Sequence, residues 1–163
     1  MAWINKSIED LVNYRIQQEE LSSRIYLAMS KWLTKNGYFG ASKLFKKWSD
    51  EELVHAGFAY TYLEDLNIQP CVPELEKVEE NFTSLKEIVQ KAFEHEMVVT
   101  EQCNELTKAA MSANDFMTMT LGQKYMLEQQ EEIAKTTYWN DRILAFGVDK
   151  TALLVIDNEM GED

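Results

Sequence analysis

Proline occurs only twice in this chain, at Pro70 and Pro73, both within Asn67-Ile-Gln-Pro-Cys-Val-Pro-Glu74. Everything before and after that segment lacks the ring that breaks a helix. Glycine is also sparse, at 6 of 163 residues. The remainder is rich in Glu, Lys, Gln, Leu and Met, residues that lose little on entering a helix. No strand-like alternation persists over several residues. The pattern predicts four long helices and one short one. The first runs from about Ser7 to Leu33, with Glu9 and Asp10 in its first turn and Asn36-Gly37 as its stop. The second covers about Gly40 to Leu66. The third starts near Ser84, where Glu87 completes a capping box, and ends near Ala113-Asn114. The fourth spans about Asp115 to Ala145, ahead of Gly147. A short apolar fifth element covers Thr151 to Asn158. Links one–two and three–four are short, so those helices pair as antiparallel neighbours. The middle link holds both prolines and is long. Two hairpins joined by one long crossover describe an all-α four-helix bundle, about residues 7–146, within a single domain of residues 1–163.

Composition narrows the function classes. Lys plus Arg is 16 and Asp plus Glu is 28, a formal charge of −12. With no basic tail, that balance argues against nucleic acid as a partner, because phosphates would be repelled. It suits the collection of metal cations. No apolar run reaches the ~18 residues a membrane span needs, so no membrane partner is expected. The N-terminal residues lack the pattern of a secretory signal. Cys71 and Cys103 lie far apart with no Cys-x-x-Cys, so no zinc ribbon or disulfide framework is written here. Free thiols fit a reducing cytoplasm.

The inner faces of the helices carry the informative residues. Following positions spaced by three and four, the first helix presents Val12, Ile16, Glu19, Ser23, Tyr26 and Leu33. The second presents Leu44, Trp48, Glu52, His55, Ala59 and Tyr62. The third presents Leu85, Val89, Ala92, Glu96, Val99 and Cys103, and the fourth Leu121, Tyr125, Gln129, Glu132, Thr136 and Trp139. Each helix therefore places one carboxylate near its midpoint on the face meant for the core. An ionised carboxylate in an apolar interior is costly, and four together repel. Two divalent cations among them would answer that charge. Carboxylates with one imidazole suit iron or manganese, with zinc as a competitor. Glu52 and His55, three apart, point the same way and can reach one ion. A second outcome stays open at this level: a register off by one residue turns these side chains outward, the usual fate of a lone helical Glu.

On these residues the chain resembles a ferritin of the bacterial non-haem kind. The resemblance covers essentially the whole chain. It rests on Glu19 and Tyr26 in Glu-Glu-Leu-Ser-Ser-Arg-Ile-Tyr, on Glu51-Glu52-Leu-Val-His55, on His95-Glu96, and on Glu128-Gln-Gln-Glu-Glu132. It implies a ferritin-like bundle in which Glu19, Glu52 and His55 hold a first iron. Glu52 then bridges to a second iron, which Glu96 and Glu132 complete, with Gln129 close by. Tyr26 matches a tyrosine beside the centre. Glu51, Glu128 and Glu131, with Glu132, match a third, outer iron site; for the first three of these a merely solvated helix face is the competing reading. The activity implied is oxidation of Fe(II) by dioxygen or hydrogen peroxide. The ferric product would then be stored as mineral inside a homo-oligomeric shell of 24 subunits, with the fifth helix on the fourfold axis.

Several departures sharpen the reading. Gln129 and Glu132 stand where bacterioferritins and rubrerythrins carry a second Glu-x-x-His. Leu53 replaces the haem-binding Met of bacterioferritins, so no haem is expected. Met119 and Gly122 are the nearest counterparts of the acidic channel residues of animal ferritins. His95 reads as a surface or interface residue, and Cys103 as a small core filler. Two rival outcomes are a di-iron scavenger of oxygen or peroxide without a cage, and a structural or partner-binding bundle without metal chemistry.

Overall fold

The computed structural model describes residues 3–163. It contains α1 (Lys6–Lys35), α2 (Phe39–Asp65), α3 (Leu85–Ser112), α4 (Phe116–Phe146) and α5 (Lys150–Glu162), with no strand among the described residues. None of these helices is long and apolar enough to cross a membrane.

Polar side chains start most of the helices. Asn5 accepts from the Ile8 amide at 2.9 Å, one residue or two ahead of the expected start. Asp115 and Asp149 cap α4 and α5, accepting from Thr118 N at 3.0 Å and Ala152 N at 2.8 Å. Ser84 caps α3 as expected, but the Glu87 carboxylate reaches back to Thr83 rather than to Ser84, accepting its amide and hydroxyl at 2.7 and 2.6 Å. Gly37, at φ +87°, turns the chain between α1 and α2 in a conformation that glycine adopts without strain.

Residue pairing gives the directions. Ser30 bonds Ser42 and Ser23 bonds Ser49, so α1 and α2 run antiparallel. Ser22 meets His95 while Arg15 meets Gln102, so α3 is antiparallel to α1 as well. Helices α2 and α3 therefore run the same way, and residues 66–84 must travel the length of the bundle between them. This is why the link is long and why its prolines are tolerated. α1 packs mainly on α2, and α3 on α4.

α5 is five residues longer than expected, starting one residue earlier and ending four later. Ile156 and Met160 are buried in the core beside Ala41, Leu44 and Phe45. Asp157 of α5 accepts from the Ala41 amide at 2.8 Å. It thereby caps α2, whose own N-cap residue, Tyr38, makes no side-chain cap bond. The helices cross where Gly40 meets Gly161: a Cβ on Gly40 would lie 1.8 Å from the Asp157 carbonyl oxygen.

Two apolar clusters fill the bundle. One contains Val12, Ile16, Ala59, Val99, Cys103, Leu106 and Tyr125. The other contains Tyr26, Leu44, Trp48, Val89, Ala92 and Trp139. On every helix they are separated by a short polar interval, and the intervals of all four helices lie at the same level.

Candidate metal centre

That level holds the carboxylates. Glu19 comes from α1, Glu52 and His55 from α2, Glu96 from α3, and Gln129 and Glu132 from α4. All six are buried, at 1% to 5% relative exposure. The outward-facing alternative is thereby removed, because the helical spacing turns these residues to the bundle axis together with their apolar neighbours.

Glu19, Glu52 and His55 each offer a ligand atom lying within 4.8 Å of the other two. His55 Nδ1 is 3.1 Å from Glu52 Oε2, and its Nε2 is 3.4 Å from Glu128 Oε2. On the opposite side, Glu96 accepts from the Tyr26 hydroxyl and, at 3.0 Å, from Gln129 Nε2. Gln129 is also 3.2 Å from Thr100 Oγ1. Tyr26 is fixed in turn by edge contacts with Phe45, Trp48 and His95. The Tyr26 phenol is held well above its ordinary range, first by burial and then by Glu96 and Glu52, so it stays a donor.

The electrostatics of the layer are those of crowded acids. Burial, reinforced by Glu19 and Glu96, holds the Glu52 carboxyl well above the carboxylate range. Burial also raises Glu96, against the pull of the Tyr26 and Gln129 hydrogen bonds. Glu132 is pushed up to about 7 by burial, with Lys135 opposing.

Two cations revise the charge argument, one inside the bundle and one half-buried at its edge, and neither stood out in the sequence. Arg15 is fully buried and pairs with Glu19, while donating to Gln102 Oε1 at 2.7 Å. Lys135 lies 3.1 Å from Glu132 Oε1 and 3.4 Å from Glu51 Oε2. The protein therefore answers two of the four core charges itself. Their spacing was a usable signal: Arg15 stands four residues before Glu19 and Lys135 three after Glu132, both on the carboxylate's own face.

The donor set still fits a metal. Glu19 Oε2 is buried with no hydrogen-bond partner, a costly state for a carboxylate oxygen. It belongs to the same residue that Arg15 anchors through Oε1. A cation between Glu19, Glu52 and His55 satisfies it. The outer set is different. Glu51 and Glu128 are half-buried and engaged by Lys135 and His55, and Glu131 is exposed. No three of the outer carboxylates, Glu132 included, bring ligand atoms within 4.8 Å of one another.

His95, expected at the surface or an interface, is half-buried, hydrogen-bonded to Ser22 Oγ at 2.7 Å and stacked edge-on to Tyr26. Burial, with Arg15 adding to it against Glu19, lowers its imidazole to about 4, so it is neutral. Gly122 is buried against Thr107 of α3, where a Cβ would come 2.5 Å from Thr107 Oγ1, so it backs onto its neighbour instead of opening outward. Cys103 is buried and Cys71 exposed, both as free thiols.

Residues 9–143 match the ferritin-like domain family. A bacterial non-heme ferritin of Campylobacter jejuni is 30% identical over 154 residues, covering 94% of this chain and 92% of its own. A probable bacterial non-heme ferritin-like protein of Haemophilus influenzae is 28% identical over 158 residues, covering 97% and 96%. Among solved structures, an open pore ferritin from Archaeoglobus fulgidus superposes with a TM-score of 0.96 at 29% identity, covering 100% of this chain and 99% of that one. Sequence and fold agree along the full length of the bundle, and the chain belongs to the ferritin family, in its bacterial non-haem branch.

Proposed function

We propose that this chain is an iron-storage ferroxidase of the cytoplasm. It acts as one domain that takes two Fe(II) ions as substrate among Glu19, Glu52, His55, Glu96, Gln129 and Glu132. The observation that carries this reading is the convergence of Glu19, Glu52 and His55 within 4.8 Å, with Glu19 Oε2 buried and unpartnered. Glu52, whose carboxyl is raised by Glu19 as well as by Glu96, would serve as the bridge. His55 binds as a neutral imidazole. Tyr26 and Gln129 hold the Glu96 carboxylate in orientation, as hydrogen-bonded partners of metal ligands do. Ions in two-metal sites sit ~3.5–4 Å apart, within reach of shared carboxylates.

Paired ions suit the chemistry. Each Fe(II) gives one electron, and reducing dioxygen to hydrogen peroxide takes two electrons and two protons. With hydrogen peroxide as oxidant, two Fe(II) and two protons yield two Fe(III) and two waters. Burial biases Glu52, Glu96 and Glu132 toward their protonated forms in the metal-free layer, so binding ions, which needs the carboxylates, releases protons.

Storage requires assembly. Phe39, Phe116, Leu127, Tyr138, Leu144 and Phe146 are large apolar side chains left exposed on the single chain, where contacts between subunits would cover them. They support a homo-oligomer, read here as a 24-subunit cage with mineral inside. A bundle without metal chemistry gives no reason for Glu19, Glu52, His55, Glu96 and Glu132 to share one buried layer.

The test is anaerobic Fe(II) titration of the apoprotein, followed by air. Two tight ions per subunit and oxidation faster than in buffer are expected; fewer than two, or a buffer rate, overturns the reading. Light scattering separates a cage from a scavenger, since 24 copies of a 19.0 kDa chain weigh about 456 kDa.

A further inference from the structure

We propose that the Lys135 ammonium occupies the place of an outer, third cation and holds this centre at two metal ions. The proposal rests on the two-ion reading of the site.

The geometry is that of a tethered ion between helices. Lys135 Nζ lies between Glu132 Oε1 of α4, at 3.1 Å, and Glu51 Oε2 of α2, at 3.4 Å. These are two of the four carboxylates that the family resemblance assigns to an outer iron. Of the other two, Glu128 is engaged by His55 Nε2 at 3.4 Å and Glu131 is exposed. None of the four belongs to the converging group formed by Glu19, Glu52 and His55. A metal ion needs several oxygens drawn to one point; here two of the four are drawn to an ammonium instead.

Charge and tethering both favour the lysine. A divalent cation entering between Glu51 and Glu132 meets a like charge at contact distance, which repels it strongly in a partly desolvated place. To bind, it must expel the ammonium and break two charge-assisted hydrogen bonds. The ammonium is covalently present at every moment, three residues from Glu132 on the same helical face. The Lys135 side chain keeps 35% of its accessible surface, so the effect is a loss of affinity for a third ion, with the lysine able to swing out at high metal concentration. An ammonium also lacks the open coordination positions of a metal, so this end of the layer adds charge balance and no further electron.

The experiment uses the assembled protein and redox-inert Zn(II). Metal-free wild type, Lys135→Met and Lys135→Arg are dialysed to equilibrium against micromolar Zn(II) at pH 7.5, and bound metal is counted per subunit. Lys135→Met keeps the stem and removes the charge, and should gain a third ion bound at least tenfold more tightly than in wild type. Wild type and Lys135→Arg should hold two. Three tight ions in wild type, or two in Lys135→Met, overturn the assignment of Lys135 while leaving the paired site intact. Fewer than two in wild type overturns the two-ion reading, and this inference with it. Should Lys135→Met fail to assemble, anomalous scattering from Zn(II)-soaked wild-type crystals decides: a strong peak between Glu51 and Glu132 contradicts the proposal, and its absence beside a filled paired site upholds it.

Discussion

Arg15 and Glu19 form a fully buried ion pair one helical turn apart on α1, and that pair leaves the second Glu19 oxygen alone among the carboxylates. The guanidinium thus fixes one oxygen and presents the other. Removing one member of a buried pair leaves an uncompensated charge and costs roughly 3–5 kcal/mol, whereas removing both is close to neutral. Arg15→Met should destabilise the metal-free protein by roughly that amount, and Arg15→Met with Glu19→Gln should recover most of it. Denaturant unfolding of the two variants checks this; equal loss in both contradicts the pairing.

Metal-free stability should depend on pH in an unusual direction. Glu132 titrates at about 7 in the folded state against an ordinary 4.5. The folded protein therefore binds this proton more tightly than the unfolded chain. The resulting stabilisation is complete below about 4.5 and is lost as pH rises through about 7. Glu52 and Glu96 are raised as well and act in the same sense, and together with Glu132 they outweigh His95, which is lowered to about 4 and costs stability below about 6.5. Ions require the ionised carboxylates, so their affinity rises over the same interval. Scanning calorimetry at pH 5.5 and 7.5 should show the metal-free protein less stable at the higher pH, and a larger stabilisation by Zn(II) there.

Tyr26→Phe should leave the fold intact while freeing one Glu96 oxygen. Loss of a hydrogen-bonded partner behind a ligand typically weakens metal binding by about 10–100-fold. Isothermal titration should show one of the two ions weakened and the ion served by Glu19, Glu52 and His55 little changed. Equal weakening of both ions contradicts the placement of Tyr26 behind Glu96.

The α2–α5 crossing should tolerate no side chain at Gly40. The added Cβ of Gly40→Ala would lie 1.8 Å from backbone that cannot rotate away, so α5 must lift. Overpacking commonly costs about 1–3 kcal/mol, whereas Asp157→Ala should cost about 1 kcal/mol as a lost helix cap. Thermal denaturation ranks the two, and limited proteolysis within α5 should increase most for Gly40→Ala.

Much of this molecule was readable before folding was considered. Confinement of Pro70 and Pro73 gave the crossover, and the midpoint acids Glu19, Glu52, Glu96 and Glu132 gave the polar layer. What escaped has a common physical cause. Arg15 and Lys135 resemble the cations of any solvated helix face, and only the packed bundle shows that their long stems bring the charge inward. His95 was expected at the surface or an interface because its neighbour Glu96 points to the axis; Ser22 and the Tyr26 ring, both on another helix, half-bury it. The length of α5 was hidden because its apolar run, Ala152 to Ile156, ends six residues before the helix does. In the fold, Gly161 permits a close crossing, and Asp157 caps a helix that begins 118 residues earlier at Phe39.

The central claim is that the buried acids gather because two metal ions belong between them. Anomalous scattering at the iron edge, from crystals soaked anaerobically with Fe(II), tests it directly. Two peaks per subunit are predicted, one touching Glu19, Glu52 and His55 and one touching Glu52, Glu96 and Glu132. A bundle whose polar layer gains no iron density at saturating Fe(II) would contradict the account.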